Sequence, residues 1–504
     1  MKTIRSIIYL LTFALLLPCT QAATMLRAWV KSYDGPARGS DNAFAIAVDR
    51  SGDVFVAGPS TGNVGTYDYV TIKYSSSGLA LWTNRFHGSG TGSDQAKALV
   101  LDADGNVIVT GQSSGLSTRT DFATIKYSGQ GVPLWTNRYR APSDSAIATA
   151  VAVDTNGDVL VTGYTYASGL ATIKYSRLGV PLWTNRYLGP VNLNHYAGSI
   201  ALDGSGKAFV SGFSTGSGTG DDFVTLAYSS AGVPLWTNRY NGPDSGDDQA
   251  NGLALDSNGN VFVTGGAVAG GLTEFATIKY SNAGVPVWTN RYRSTGTSTY
   301  GGASGVAVDG SGNVFVAGSA IGSGTYNDFV TIKYSNAGVP LWTNRYAGVY
   351  DDAVNALALD RNGNVFVTGY RTDAYTLRFD CTTVAYSSSG ATLWTDVYNG
   401  PGNDDDSGNA IATDGSGNVF VTGYAKGTNG YADIVTLKYS TTSVTPPLGT
   451  QRASNSMVVS WANTLFTLQS APAVAGTFTN VSGATSPYTN PLTGTQNFYR
   501  LKAN

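Results

Sequence analysis

The sequence predicts an all-β fold: an eight-bladed β-propeller closed by an N-terminal outer strand, plus a small C-terminal β-sandwich. Three observations carry this. Tryptophan recurs at positions 29, 82, 135, 183, 236, 288, 342 and 394, with spacings of 48 to 54 residues. A self-similar period of that size marks a propeller or solenoid. Each period holds four short β-like runs separated by turn residues, the content of one propeller blade. Finally, the chain has 63 glycines and a single glutamate, Glu274, and it lacks the Glu-, Lys- and Ala-rich stretches that helices use.

The copy after Gly301 gives the four strands, A to D, as Ser304–Asp309, Asn313–Ala317, Phe329–Ser335 and Leu341–Tyr346. On strand A every second residue is small, as at Ala43, Ala45 and Ala47 or Ala148, Ala150 and Ala152. That alternation puts the small residues on one face of the strand. Sheets arranged radially converge toward the axis, so strand A is inner; strand D, with Trp, Arg and Tyr, suits the outer rim. A joins B through Asp-x-x-Gly-Asn, as at Asp256–Asn260 and Asp414–Asn418, where Asp builds an Asx turn and Gly supplies positive φ. C joins D through Ser-x-x-Gly, as at Ser281–Gly284. The glycine that recurs in strand B, from Gly58 to Gly423, is expected to end that strand.

Eight A-B-C sets are present, yet a D-type strand precedes the first set at Trp29 and none follows Tyr439. The early WVKSYDGP of Trp29–Pro36 matches WTNRYNGP at Trp236–Pro243 in outline, so residues 28–34 are predicted to be the outer strand of the last blade. Closure of this kind leaves no free end to the circle of sheets.

The recurring pattern, as in SDQAKALVLDADGNVIVTG over Ser93–Gly111, resembles the SBBP-type β-propeller repeats of bacterial exported and surface proteins. The resemblance covers about residues 28–440; the family's name refers to seven blades, whereas this chain carries eight sets. It implies an extracytoplasmic scaffold and brings no catalytic residues.

Outside the repeats, residues 1–22 read as a signal peptide. Lys2 and Arg5 supply the charged start, Ile7–Leu17 the apolar run and Thr20-Gln21-Ala22 a cleavage site. The apolar run is short for a bilayer span, and no later run is long enough. Cys19 raises lipidation, but Pro18 stands where a lipobox wants a small residue. That leaves Cys381, which cannot form an internal disulfide and reads as a buried small apolar residue. The formal net charge of −2 gives no basic face for nucleic acid. Residues 441–449, with Pro446 and Pro447, read as a linker. Residues 450–504 alternate at Met457–Trp461, Leu465–Gln469, Phe478–Val481 and Phe498–Leu501, as a small β-sandwich would. The form SWANTLFTLQSA…FYRLKAN resembles C-terminal β modules on secreted bacterial repeat proteins.

In a propeller the D-to-A and B-to-C connections emerge on one face. Here those are the segments that differ between copies, as in YTYASGL (Tyr164–Leu170) against YRTDAYTLRFD (Tyr370–Asp380). Binding residues sit on variable loops held by a rigid scaffold, so this face is the candidate site. One acidic ring, Asp68, Asp121, Asp222, Glu274, Asp328, Asp380 and Asp433, precedes strand C in seven blades, and Gly169 breaks the series. A second, Asp41, Asp94, Asp248, Asp352 and Asp406, precedes strand A in five. Both rings read first as caps of backbone N–H groups where strands begin. The alternative is a divalent cation such as Ca²⁺ held between them; no other cofactor is expected. Tyr67, Tyr164, Tyr166, Tyr326, Tyr370, Tyr375, Tyr424 and Tyr431 lie on B-to-C loops, and Tyr beside Asn, Asp and Ser is a recognition composition. They read equally as covers for the blade tops.

Histidine occurs only at His87 and His195, in no recognisable nucleophile motif, and nothing singles out a pair of carboxyls for glycoside hydrolysis. The expected function is therefore an exported, non-catalytic, monomeric scaffold that binds a protein or carbohydrate at the cell surface. The alternatives are a carbohydrate-active enzyme or lectin on a propeller, and a structural cell-envelope protein.

Overall fold

The computed structural model describes residues 26–440, apart from 64, 116–118, 142–143, 168, 192, 294–300 and 323–325, together with parts of 449–503. The expected signal peptide and most of the linker lie outside the described residues. The chain divides into two compact units, one of them Leu26–Ser440; the C-terminal residues fall in the other. No helix occurs among the described residues, and none is long and apolar enough to cross a membrane.

Leu26–Ser440 forms eight four-stranded antiparallel sheets. In blade 6 the strands are Gly302–Val308, Val314–Ile321, Asn327–Tyr334 and Pro340–Tyr346, paired in chain order. The eighth sheet takes its outer strand from Leu26–Tyr33, which runs antiparallel to Ala432–Ser440 with Trp29 opposite Lys438 and Tyr33 opposite Ile434. Strand A of each blade touches strand A of the next, and that of blade 8 touches that of blade 1. The ring is an eight-bladed propeller, closed as the Trp spacing predicts.

Small residues on strand A are what allow this approach. Ala96, Ala197, Ala250 and Ala303 are fully buried where neighbouring sheets converge. Between sheets the core is aromatic and β-branched: Phe209 and Phe223 of blade 4 meet Ala250, Val261, Val263 and Ile278 of blade 5.

Strand B corrects one expectation. Its glycine does not end the strand but lies inside it: Val54–Thr61 continues past Gly58, and Val314–Ile321 past Gly318. The reason is in strand A, which bulges opposite this point, as between Ala303 and Gly305 or between Ala250 and Gly252. The bulge drives a strand-A carbonyl against the glycine. A Cβ at Gly58, Gly212, Gly265 or Gly318 would overlap the carbonyl oxygen of Asn42, Tyr196, Gln249 or Gly302. Glycine is required there by close backbone approach, a role bulges and strand glycines share.

The outer strands join blade to blade. Trp82 Nε1 donates to Gly129 O at 3.1 Å and Asn84 Nδ2 donates to Gly131 O at 2.7 Å, both on the C-to-D turn of the next blade. The indole lies under that turn's glycine, Gly131, whose φ of 82° only glycine adopts readily. The same Trp–turn bond recurs around the ring and is completed by Trp29, which donates to Ser76 O of blade 1. Blade 8 has no C-to-D turn, so the outer strand of blade 7 ends differently. Asp396 stands where other copies have Asn, and it receives Arg27 of the closing strand at 2.9 Å.

In the second unit the described strands form two three-stranded sheets. One holds Gly449–Ala453, Ser456–Ser460 and Tyr488–Pro491; the other holds Thr479–Asn480, Phe466–Ala471 and Phe498–Ala503.

Candidate functional site

The B-to-C and D-to-A connections of neighbouring blades meet on one face. Asp94 N donates to Tyr67 O, Asp248 N to Asp221 O and Asp352 N to Asn327 O, so each D-to-A connection is tied to the start of the preceding strand C. The opposite face carries the invariant turns. There Asp49 Oδ1 accepts Ser51 N and Asp53 N, the expected Asx turn, and Lys126 pairs with Asp102 at 2.8 Å.

The two acidic rings do different work. The ring before strand A caps backbone, as the sequence predicts. Asp94 accepts Gly88 N at 2.6 Å and Ser114 N at 2.8 Å, and Asp41, Asp248 and Asp406 repeat the same two bonds. These carboxyls are almost fully buried, and burial outweighs the N–H bonds enough to push Asp352 and Asp406 up to about 6.

The ring before strand C is held by ion pairs instead. Asp68, Asp121, Asp222, Glu274 and Asp328 each meet the strand-D arginine seventeen residues on: Arg85, Arg138, Arg239, Arg291 and Arg345, at 2.5 to 3.2 Å. Blade 7 has Val397 at that arginine's position, and Arg371 of strand B approaches Asp380 at 3.7 Å. In the closing blade Ser32 takes the arginine's position opposite strand C. Asp433 is left beside Asp34 and Asp41, its Oδ1 has no hydrogen-bond partner, and its pKa rises to about 6, chiefly through burial and then those two charges.

Among the described residues, two groups place enough ligand atoms together to hold a metal ion: Asp68 with His87 and Asp94, and Asp34 with Asp41 and Asp433. In the first, His87 Nδ1 already bonds Asp68 at 2.8 Å, and both oxygens of Asp94 accept backbone or Ser113.

The candidate tyrosines do not converge on one pocket. Tyr67 is half-buried with its N–H on Ser93; Tyr326 packs on Tyr350 at 5.1 Å; Tyr370 packs on Phe379 at 4.3 Å; and Tyr431 is exposed. Only Tyr164 joins a larger group, in a cleft of about 300 Å³ on the variable face. Its ring lies 5.0 Å from Tyr196, which stacks on Phe213 at 5.2 Å and 17°, and Tyr166 stands at its edge. His195, Asp221 and Gln249 complete the lining.

Composition and spacing do not reveal His195, Tyr196, Phe213 or Asp221 as site residues. Comparison of the copies does. His195 occupies the position of the capping aspartates, two residues before the strand-A residue that faces the strand-B glycine. It is 5 % exposed, and neither ring nitrogen has a hydrogen-bond partner. Burial, and then Arg239, lower its pKa and keep the imidazole neutral.

Comparison with known proteins agrees with the architecture. The beta-propeller repeat family SBBP matches at residues 134–171, 235–266 and 394–431. The chain is thus an eight-bladed propeller, three segments of which match the SBBP repeat. No curated protein matches it. Among solved structures it is similar to Chaetomium thermophilum Sqt1 bound to the N-terminus of the ribosomal protein L10, at 11% identity and a TM-score of 0.52, over 81% of this chain and 98% of that one. It is also similar to a protein of unknown function from Bacteroides caccae, at 14% identity and a TM-score of 0.33, over 58% of this chain and 93% of that one. At these identities the likeness concerns fold alone.

Proposed function

We propose that this protein is an exported, non-catalytic scaffold that holds a protein or carbohydrate partner on its variable loop face. One observation carries the reading: sequence variation between otherwise equal blades is confined to connections that share a face, while the turns of the other face repeat. Equal blades need equal turns, so residues free to differ are those the ring does not need for closure. The paired carboxylates before strand C support a rigid platform rather than a set of free acids. Solvent-facing Tyr375 (96 % exposed) and Tyr431 (52 % exposed) supply rigid, amphipathic contact area at low entropic cost.

The test is binding of the full chain to arrayed glycans and to cell-envelope fractions. Tyr375→Ala with Tyr431→Ala should weaken retention at least severalfold. Leu79→Ser with Leu178→Ser, on the opposite face's turns, should leave it unchanged. Retention lost only by the second pair would overturn the assignment of the face.

A further inference from the structure

We propose that the cleft between blades 3 and 4 receives a neutral sugar ring, stacked on Tyr196 and Tyr164 and hydrogen-bonded by His195, Asp221 and Gln249. This deepens the reading of the variable face as a binding surface and rests on it.

Four departures from the repeat coincide here. Blade 3 has the shortest Trp-to-Trp period, 48 residues, its strand B ending at Thr165 and its strand C beginning at Gly169. Gly169 replaces the carboxylate before strand C, so the strand-D arginine, Arg186, loses that partner and keeps the bond to the preceding blade's tyrosine, Tyr139 at 3.0 Å, that Arg85, Arg239 and Arg345 also make. His195 replaces the capping aspartate, and Thr215 N, which a carboxylate would otherwise cap, bonds Asn194 O at 3.0 Å. Tyr196 stands where the other copies carry Asn42, Gln95, Ile147, Gln249, Gly302, Ala353 and Ser407. Elsewhere such departures are fewer: blade 6 has Gly301 at the cap position, and blades 7 and 8 have Val397 and Ser32 at the arginine position. In blades 3 and 4 the repeat's own residues have been given up together, and what replaces them is an open aromatic surface above an unpartnered imidazole.

The polar complement fixes the class of ligand. A neutral imidazole offers one donor and one acceptor, and both are unused. A buried polar group without a partner is costly, so a ligand that supplies both functions has a strong advantage. Gln249 can both donate and accept, and Asp221, almost fully buried with Oδ1 taken by Thr215 at 2.7 Å, offers its other oxygen as an acceptor. Hydroxyl groups match such two-way partners. A cationic ligand would leave the imidazole's donor unmet, and an anion would face Asp221 and Asp247. Tyr196 also stacks on Phe213 with Tyr164 tilted against it, forming a platform and not a cage around a point charge. The larger hollows on the opposite face, about 570, 390 and 380 Å³, lie among turn aspartates that already pair with Lys174, Lys73 and Lys126.

The experiment is titration of the full chain with neutral oligosaccharides (cello-, xylo- and chito-oligomers), with choline as the cationic control, alongside envelope-fraction retention. The variants are Tyr196→Ala, Tyr166→Ala at the exposed edge, and His195→Asp, which restores the cap of the other blades. The expected result is saturable binding of a neutral oligomer that falls about tenfold in Tyr196→Ala and in His195→Asp, and less in Tyr166→Ala. Leu341→Ser, on the outer strand of blade 6, should leave it unchanged. Binding that survives Tyr166→Ala and His195→Asp overturns the cleft while leaving the variable face in place. So does retention on envelope fractions with no oligosaccharide bound, or preference for choline. Neither retention nor sugar binding overturns both.

Discussion

At the scale of single residues, the glycine inside strand B is the position the ring tolerates least. Gly265 faces the carbonyl of Gln249 so closely that a methyl group has no place without moving strand A. Strand A cannot move, because it is wedged against strand A of the next blade. Gly265→Ala should therefore cost about 2–4 kcal/mol, read as a lower denaturant midpoint. Gly204→Ala, where an added Cβ meets nothing within 4 Å, should be neutral within about 0.5 kcal/mol. Equal midpoints for the two variants would refute the close-approach account. The sequence announces this glycine by its recurrence but not its role. A glycine flanked by strand and loop residues reads as a terminus, and only the facing bulge, two strands' geometry combined, reveals it as an interior contact.

At the scale of the element, the closing strand departs from the other outer strands at several residues, and two of the changes have a local consequence. Arg27 binds Asp396, compensating for a turn that blade 8 lacks. Ser32, by contrast, replaces the arginine that in five blades neutralises the carboxylate before strand C, and leaves Asp433 a hydrogen bond from Ser32 in place of a cation. Ser32→Arg should therefore stabilise the ring by about 1–2 kcal/mol at pH 7.5, since the partner is an ionised, partly buried carboxylate without a cation. The gain should shrink below about pH 5, where Asp433 is protonated. A pH-independent gain would point to packing by the longer side chain instead. That the closing strand is an outer strand was legible from WVKSYDGP; that it leaves an unpaired acid was not, because the Asp–Arg pairing joins positions seventeen residues apart in the other blades and some four hundred apart here.

For the whole molecule, the number of blades, their order and the closure follow from one repeated tryptophan, because a ring of equal sheets demands the same contact at every junction. The cleft of blades 3 and 4 follows from no motif. It draws Tyr164, His195, Phe213 and Gln249 from three blades, and its signal is only a set of departures from the repeat. The same ring logic sets the response to pH. Asp352, Asp406 and Asp433 have folded pKa values of about 6, raised first by burial, against about 4 in an unfolded chain. Between those values the folded state holds more protons, so stability must fall as pH rises from about 4 to about 6 and stay at the lower level above it. Asp102 and Asp203, whose pKa values are lowered by hydrogen bonds against the opposing effect of burial, act in the other sense and withdraw stability only as pH falls below about 4. The thermal midpoint of the full chain should thus peak near pH 4–5 and decline toward pH 7, at constant ionic strength. The double variant Asp352→Asn with Asp406→Asn should flatten that decline, since the amide still accepts a backbone N–H and carries no charge to desolvate. A midpoint that climbs steadily from pH 5 to 8 would mean that the capping carboxylates are ionised in the folded ring, and that their backbone N–H bonds outweigh the cost of burial.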